Sequence, residues 1–105
     1  MTKSLLFELK MSGSADSACF SADERFLYTE GEECEIYQWD LGTRKLLNRV
    51  LDEGCVKNTG LCISANNGLL ATGCTSGVVN VYRAEEGTGK LSSEHPAKVR
   101  RFDNV

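Results

Sequence analysis

Apolar and polar positions along this chain alternate in short runs broken by polar turns, and no stretch carries the spacing of a helix face. Ser4 to Lys10 (SLLFELK) reads as a single strand, and Gly13, Ser14 and Asp16 mark the loop that follows it. Ser17 to Ser21, Phe26 to Thr29, Glu35 to Trp39 and Lys45 to Leu51 read as four further strands. They are joined by the turns Ala22-Asp23-Glu24-Arg25, Gly31-Glu32-Glu33 and Leu41-Gly42-Thr43-Arg44. Asp23 is of a type that accepts bonds from the backbone ahead of it. Gly60 to Ser64, Leu69 to Gly73 and Val78 to Tyr82 repeat the order, with an Asn67-Gly68 turn and a Thr75-Ser76-Gly77 turn between them. A polar loop runs from Arg83 to Gly89, and the tail from Lys90 to Val105 holds a last short strand near Val99 to Phe102. Turns this short join antiparallel neighbours, so the fold class is all-β with a meandering strand order.

The two halves echo each other. Cys19 and Cys62, Ser21 and Ser64, Ala22 and Ala65, Leu27 and Leu70, Thr29 and Thr72, and Trp39 and Tyr82 all stand 43 residues apart. A period of roughly 40–45 residues ending on an aromatic is the signature of a propeller blade. The aromatic that closes the third strand buries about 150–250 Å² and fills the wedge between blades. The chain is therefore read as a partial propeller over residues 1–105: residues 2–12 as the outer strand of a preceding blade, 15–52 as a first blade, and 58–105 as a second blade and tail. A closed ring of at least four blades needs on the order of 160 residues, so 105 residues reads as a fragment of about two. Open sheet faces and unpaired edges invite association, and self-association of the isolated chain is expected.

Composition narrows the partners. Fifteen acidic against twelve basic residues give a net charge of −3, which disfavours nucleic acid as the principal ligand, since that affinity rests on neutralising phosphates. No apolar run is long enough for a membrane-spanning helix, and Met1-Thr2-Lys3-Ser4 lacks the features of a secretory signal. The five cysteines, at 19, 34, 55, 62 and 74, show no C-x-x-C spacing and stand far in sequence from the only histidine, His95, so neither a zinc site nor another cofactor is expected. Cys19 and Cys62 read as small buried apolar residues. The cluster Glu30, Glu32, Glu33 and Glu35 reads as a solvated turn, Asp40 as a turn residue accepting backbone bonds, and Gly31 and Gly77 as positions of positive φ. Gly87-Thr88-Gly89-Lys90 mimics half of a phosphate loop without its strand-loop-helix setting. Lys98, Arg100 and Arg101 read first as an exposed edge and second as a contact for RNA phosphate. No nucleophile-base pair stands out, and an enzyme is not expected.

The run Glu35-Ile36-Tyr37-Gln38-Trp39-Asp40, then Arg44-Lys45-Leu46-Leu47-Asn48-Arg49, Asp52-Glu53-Gly54 and Gly77-Val78-Val79-Asn80-Val81-Tyr82, resembles the U3 small nucleolar RNA-associated protein 18 family of WD-repeat proteins. The resemblance extends from about Thr2 through Tyr82. It implies a β-propeller without a catalytic site, acting as a nucleolar scaffold of the small-subunit processome in U3-dependent ribosomal RNA processing and ribosome biogenesis. It also implies protein partners in that assembly and in the U3 ribonucleoprotein. The structural blade residues it implies are Thr29, Trp39 and Asp40 in the first unit and Thr72, Gly77 and Tyr82 in the second, the threonines being partners of the aromatics. The alternatives are a generic WD-repeat interaction module and a non-functional truncated fragment. Departures from the family pattern are plain. Glu33-Cys34 and Ser76-Gly77 replace the usual Asp-Gly turn, Tyr82-Arg83 replaces a Trp-Asp pair, and no Gly-His dipeptide opens either repeat. The hydrogen-bond network of the strands is accordingly expected to be incomplete in both units.

Overall fold

The computed structural model describes residues 4–92 and the backbone of 97–99. Two antiparallel meanders make up the described chain. The first is β1 (Ala15–Phe20), β2 (Phe26–Gly31), β3 (Glu35–Asp40) and β4 (Lys45–Leu51), in that spatial order. The second is β5 (Asn58–Ile63), β6 (Leu69–Cys74), β7 (Val79–Arg83) and β8 (Ala97–Val99), also in order. Among the described residues no helix is long and apolar enough to cross a membrane. The expected strand from Val99 to Phe102 meets β8 at Val99 alone; His95, Pro96, Arg100, Arg101 and Phe102 lie outside the described residues, as does the side chain of Lys98.

The 43-residue echo extends to backbone conformation. Ser21 N donates to Phe26 O and Ser64 N to Leu69 O, both at 2.9 Å, while the Ser21 and Ser64 hydroxyls each accept the amide at the end of the turn at 3.0 Å. Asp23 Oδ1 and Asn66 Oδ1 each accept the amide two residues on. The left-handed backbone positions also repeat: Glu24 with Asn67, Cys34 with Gly77, and Arg44 with Gly87. So do the register shifts, at Ala15/Ser17 in β1 and Asn58/Gly60 in β5. The same local instructions are thus written twice with different residues.

Cross-strand pairing fixes the faces, since directly opposed residues project to one side. Phe26, Tyr28 and Glu30 pair with Asp40, Gln38 and Ile36 and share one face of the first sheet; Leu27 and Thr29 pair with Trp39 and Tyr37 on the other. In the second sheet Leu70 pairs with Tyr82 and Thr72 with Asn80. Phe26, Tyr28 and Ile36 of the first sheet meet Leu70, Tyr82, Ala84 and Leu91 of the second in one buried cluster. The core is therefore the seam between the two sheets. The loop after β7 locks it: Tyr28 OH donates to Gly89 O at 2.6 Å and Gln38 Nε2 to Thr88 O at 2.8 Å. A Cβ on Gly89 would lie 2.8 Å from both of those side chains, so the glycine that looked like half of a phosphate loop permits a close inter-sheet approach.

Several expectations need correction. Residues 4–10 form no strand. A strand exists only with a ladder partner, and this segment instead lies across the outer face of the first sheet, lining a groove of about 680 Å³ with Leu27, Thr29 and Trp39. Gly31 does not have positive φ; it is needed because a Cβ there would fall 1.6 Å from Ser14 O. The left-handed residue of that turn is Cys34, at φ 57°. In the Asn67-Gly68 turn only Asn67 has positive φ. Cys62 is exposed and Cys19 half-buried, whereas Cys34 and Cys74 are buried. Glu30 is not solvated but fully buried, because it falls on the seam face of β2.

Glu24 occupies on an exposed turn the left-handed conformation that Asn67 occupies in the second unit. That conformation costs a side chain without local backbone bonding about 1 kcal/mol. Glu24→Asn should therefore raise stability by about 0.5–1 kcal/mol, read as a higher denaturant midpoint at unchanged slope. A lowered midpoint would show that the two turns are not equivalent.

Candidate functional site

The polar groups of the seam converge on one side chain from the segment between β4 and β5. Asp52 is 1% exposed. Its amide donates to Cys34 O of the first sheet at 2.8 Å. Its Oδ1 accepts Thr72 Oγ1 at 3.0 Å, Asn80 Nδ2 at 2.8 Å and Tyr82 OH at 2.9 Å. A buried carboxylate is tolerable only when its lone pairs are taken up by donors, and strands β6 and β7 supply three. The desolvated carboxylate beside it, after the effect of burial itself, raises the Tyr82 phenol well above its ordinary value.

Asn58, 2% exposed, makes a second clamp. Its Nδ2 donates to Glu30 Oε1 at 2.9 Å and to Gly73 O at 3.2 Å, and its Oδ1 accepts the hydroxyl of Ser17. It thereby joins β1, β2, β5 and β6. Glu30 itself is wholly buried, and burial first, then the neighbouring Asp52, pushes its carboxyl up to about 9. Around the two acids stand three thiols. Glu30, Cys34 and Cys55 present ligand atoms within 4.8 Å of one another, and so do Asp52, Cys55 and Cys74. Burial raises the Cys55 and Cys74 thiols above their ordinary value, which keeps them as protonated thiols at neutral pH in the metal-free seam.

The residues singled out from sequence fall into two places. Trp39 Nε1 donates to Thr29 Oγ1 at 3.0 Å on the outer face of the first sheet, beneath Leu5, Leu6 and Phe7. Asp40 Oδ1 accepts the amides of Gly42 and Thr43 at 2.8 and 3.2 Å, as a turn residue does. Thr72 and Tyr82 lie in the seam, joined through Asp52 and not to each other, and Gly77 takes φ 85° in the turn before β7. The expectation of an incomplete network is thus corrected for the second unit, where Asp52 supplies the missing acceptor. Sequence reasoning passed over Asp52, Asn58 and Asn80. The available signal was positional: Asp52-Glu53 stands just ahead of the second repeat, where a Gly-His dipeptide was sought and not found.

No protein-family profile matches the chain. Over 88 residues, 84% of the chain, it is 43% identical to the U3 small nucleolar RNA-associated protein 18 homolog of Arabidopsis thaliana. Over 104 residues, 99% of the chain, it is 39% identical to the homolog of Mus musculus. Among solved structures, the crystal structure of RRP9 WD40 repeats superposes with a TM-score of 0.68 over 83% of this chain and 26% of that one, at 14% identity. The chain belongs to the U3 small nucleolar RNA-associated protein 18 family and has the WD-repeat fold. It spans 16% to 18% of the length of those curated relatives. The WD-repeat fold accounts for the meander order, while the seam chemistry departs from the family's usual residues. One aspartate from the connecting segment accepts three donors from β6 and β7.

Removing the Asp52 carboxylate leaves three buried donors without an acceptor, each costing about 1–3 kcal/mol. Asp52→Ala should destabilise the chain by about 3 kcal/mol or more, and Tyr82→Phe, which removes one donor and keeps the ring, by about 1 kcal/mol. Equilibrium unfolding of the two variants gives the comparison; equal losses would show that Asp52 is not the shared acceptor.

Proposed function

We propose that this chain is a non-catalytic interaction module that works with the U3 ribonucleoprotein in processing small-subunit ribosomal RNA, in the nucleolus, through protein partners of the small-subunit processome. The observation that carries this reading is the 36% to 43% identity to U3 small nucleolar RNA-associated protein 18 homologs over 84% to 99% of the chain. Residues 15–52 act in it as one blade and residues 58–105 as a second blade and tail. Thr29, Trp39, Asp40, Thr72, Gly77 and Tyr82 act as structural blade residues. The hydrogen bonds of the seam support binding over turnover: Asp52 Oδ1 and Glu30 Oε1 are engaged in bonds that tie strand to strand.

Protein partners also suit the surface. Leu5, Leu6 and Phe20 are exposed apolar side chains that line one groove on the outer face of the first sheet, and apolar patches of this kind mark association sites. A tagged chain expressed in cells should concentrate in nucleoli and recover U3 RNA several-fold above an untagged control. A diffuse distribution with no U3 RNA recovered overturns the reading. In isolation the same surface should drive self-association, seen as a concentration-dependent sedimentation coefficient. A monodisperse monomer would show that these side chains are not an association surface at the concentrations used.

A further inference from the structure

The one cluster of ligand-type side chains in the described chain is not used by the fold's own bonding in full. Cys34, Cys55 and Cys74 come from three different loops and strand ends, and the fold draws them to one spot at the base of the seam. Cys55 belongs to both sets of ligand atoms, the one with Glu30 and Cys34 and the one with Asp52 and Cys74. Glu30 is 0% exposed, its Oε1 is taken by Asn58, and no donor of hydrogen-bond geometry meets its Oε2. Asp52 spends Oδ1 on three donors and keeps Oδ2 for a long contact of 3.9 Å with Cys74 Sγ. Among the described residues no lysine or arginine bonds either acid. The seam therefore holds two buried carboxyls and three thiols, with one Glu30 oxygen lacking a bond of full geometry and the Asp52 carboxyl and Cys55 thiol as that carboxyl's neighbours.

We propose that this cluster is a site for a thiophilic divalent cation, with Zn²⁺ as the best match, held at Cys55 with Cys34, Cys74 and the free oxygen of Glu30 as the other three donors, and with Asp52 beside them as a bonded neighbour. Sulfur donors select such a metal over magnesium or calcium. Tetrahedral ligands about 2.3 Å from zinc stand roughly 3.7 Å apart, which falls inside the 4.8 Å spread of each set. On binding, each of the three thiols and the Glu30 carboxyl gives its proton to solvent and becomes an anionic ligand. Cys55 is half-buried, which leaves a way in. The absence of C-x-x-C spacing, taken at first to argue against zinc, has no force here, because the ligands come from two blades and not from one knuckle.

The test uses the whole chain, purified under reducing conditions, stripped with a chelator and titrated with Zn²⁺ against a chromophoric competitor and with Co²⁺ for its thiolate charge-transfer absorption. One metal per chain and a raised melting temperature on adding Zn²⁺ are expected. Cys55→Ser should weaken binding by about 100-fold and Glu30→Gln by about 10-fold, while Cys62→Ser, at an exposed thiol outside the cluster, should leave it unchanged. Circular dichroism of each variant reports whether it folds. Failure of the folded chain to take up either metal overturns the proposal and assigns the Glu30 and Asp52 pair to proton sharing alone. Uptake that survives Cys55→Ser, or is lost with Cys62→Ser, places the metal elsewhere and overturns it equally.

Discussion

Burying the Asp52 carboxylate is the constraint on which the rest of this structure depends. A carboxylate taken out of water must find donors in the protein, and those within reach of Asp52 come from β6 and β7: Thr72, Asn80 and Tyr82 on one oxygen. The same residue's amide is held by Cys34 O in the turn between β2 and β3. A residue in a connecting segment thus fixes the second sheet's register against the first sheet's turn. The apolar cluster across the seam adds most of the burial, but it would tolerate sliding. Three donors aimed at one oxygen do not.

That choice creates a second problem at Glu30. The seam face of β2 places Phe26, Tyr28 and Glu30 in one row, so an acid at that position is drawn into the dry layer with the two aromatics. Asn58 answers one of its oxygens and the other has no partner. Burial first, and then the neighbouring Asp52 carboxyl, raise Glu30 so far. Raising its pKa above the unfolded value means that its contribution favours folding fully below the ordinary carboxyl range and is lost as pH climbs toward about 9. At neutral pH the metal-free seam therefore holds Glu30 as the neutral acid.

The repeat itself was legible because its instructions are local. A serine that caps its own turn, an Asx residue that accepts the amide two positions on, and a residue of left-handed backbone leave marks at fixed offsets, and Ser21 with Ser64 or Gly77 after Ser76 carry those marks in the sequence. What was not legible depends on partners from far along the chain. Ser4 to Lys10 has the alternation of a strand, yet alternation does not supply the neighbour that a ladder requires. Glu30 sits in a run of acids that looks solvated, and only the pairing of β2 with β3 shows that it points inward while Glu32 and Glu33 point out. Cys19 and Cys62 share the echo and have the small apolar character of core residues, but the buried thiols are Cys34 and Cys74, which the echo pairs with glycines. Asp52 was visible as a motif residue and invisible as a hub, because its three partners are 20 to 30 residues further on.

The mismatch between Cys34 and Gly77 bears on why the seam is built as it is. The two residues hold equivalent turns, and Gly77 takes the left-handed conformation at little cost, whereas Cys34 takes it at φ 57°. A β-carbon there costs about 1 kcal/mol or more. Glycine would relieve that cost, so a cysteine at the position needs a compensating interaction from its side chain. Its burial offsets some of the cost, since a small apolar group gains by leaving water. The remainder is accounted for if the thiol has a partner that a glycine could not serve, and its neighbours there are Cys55 and the orphaned oxygen of Glu30. Local strain, an unpaired acid and a gathered set of thiols thus coincide at one end of the seam. A bound cation would answer all three at once.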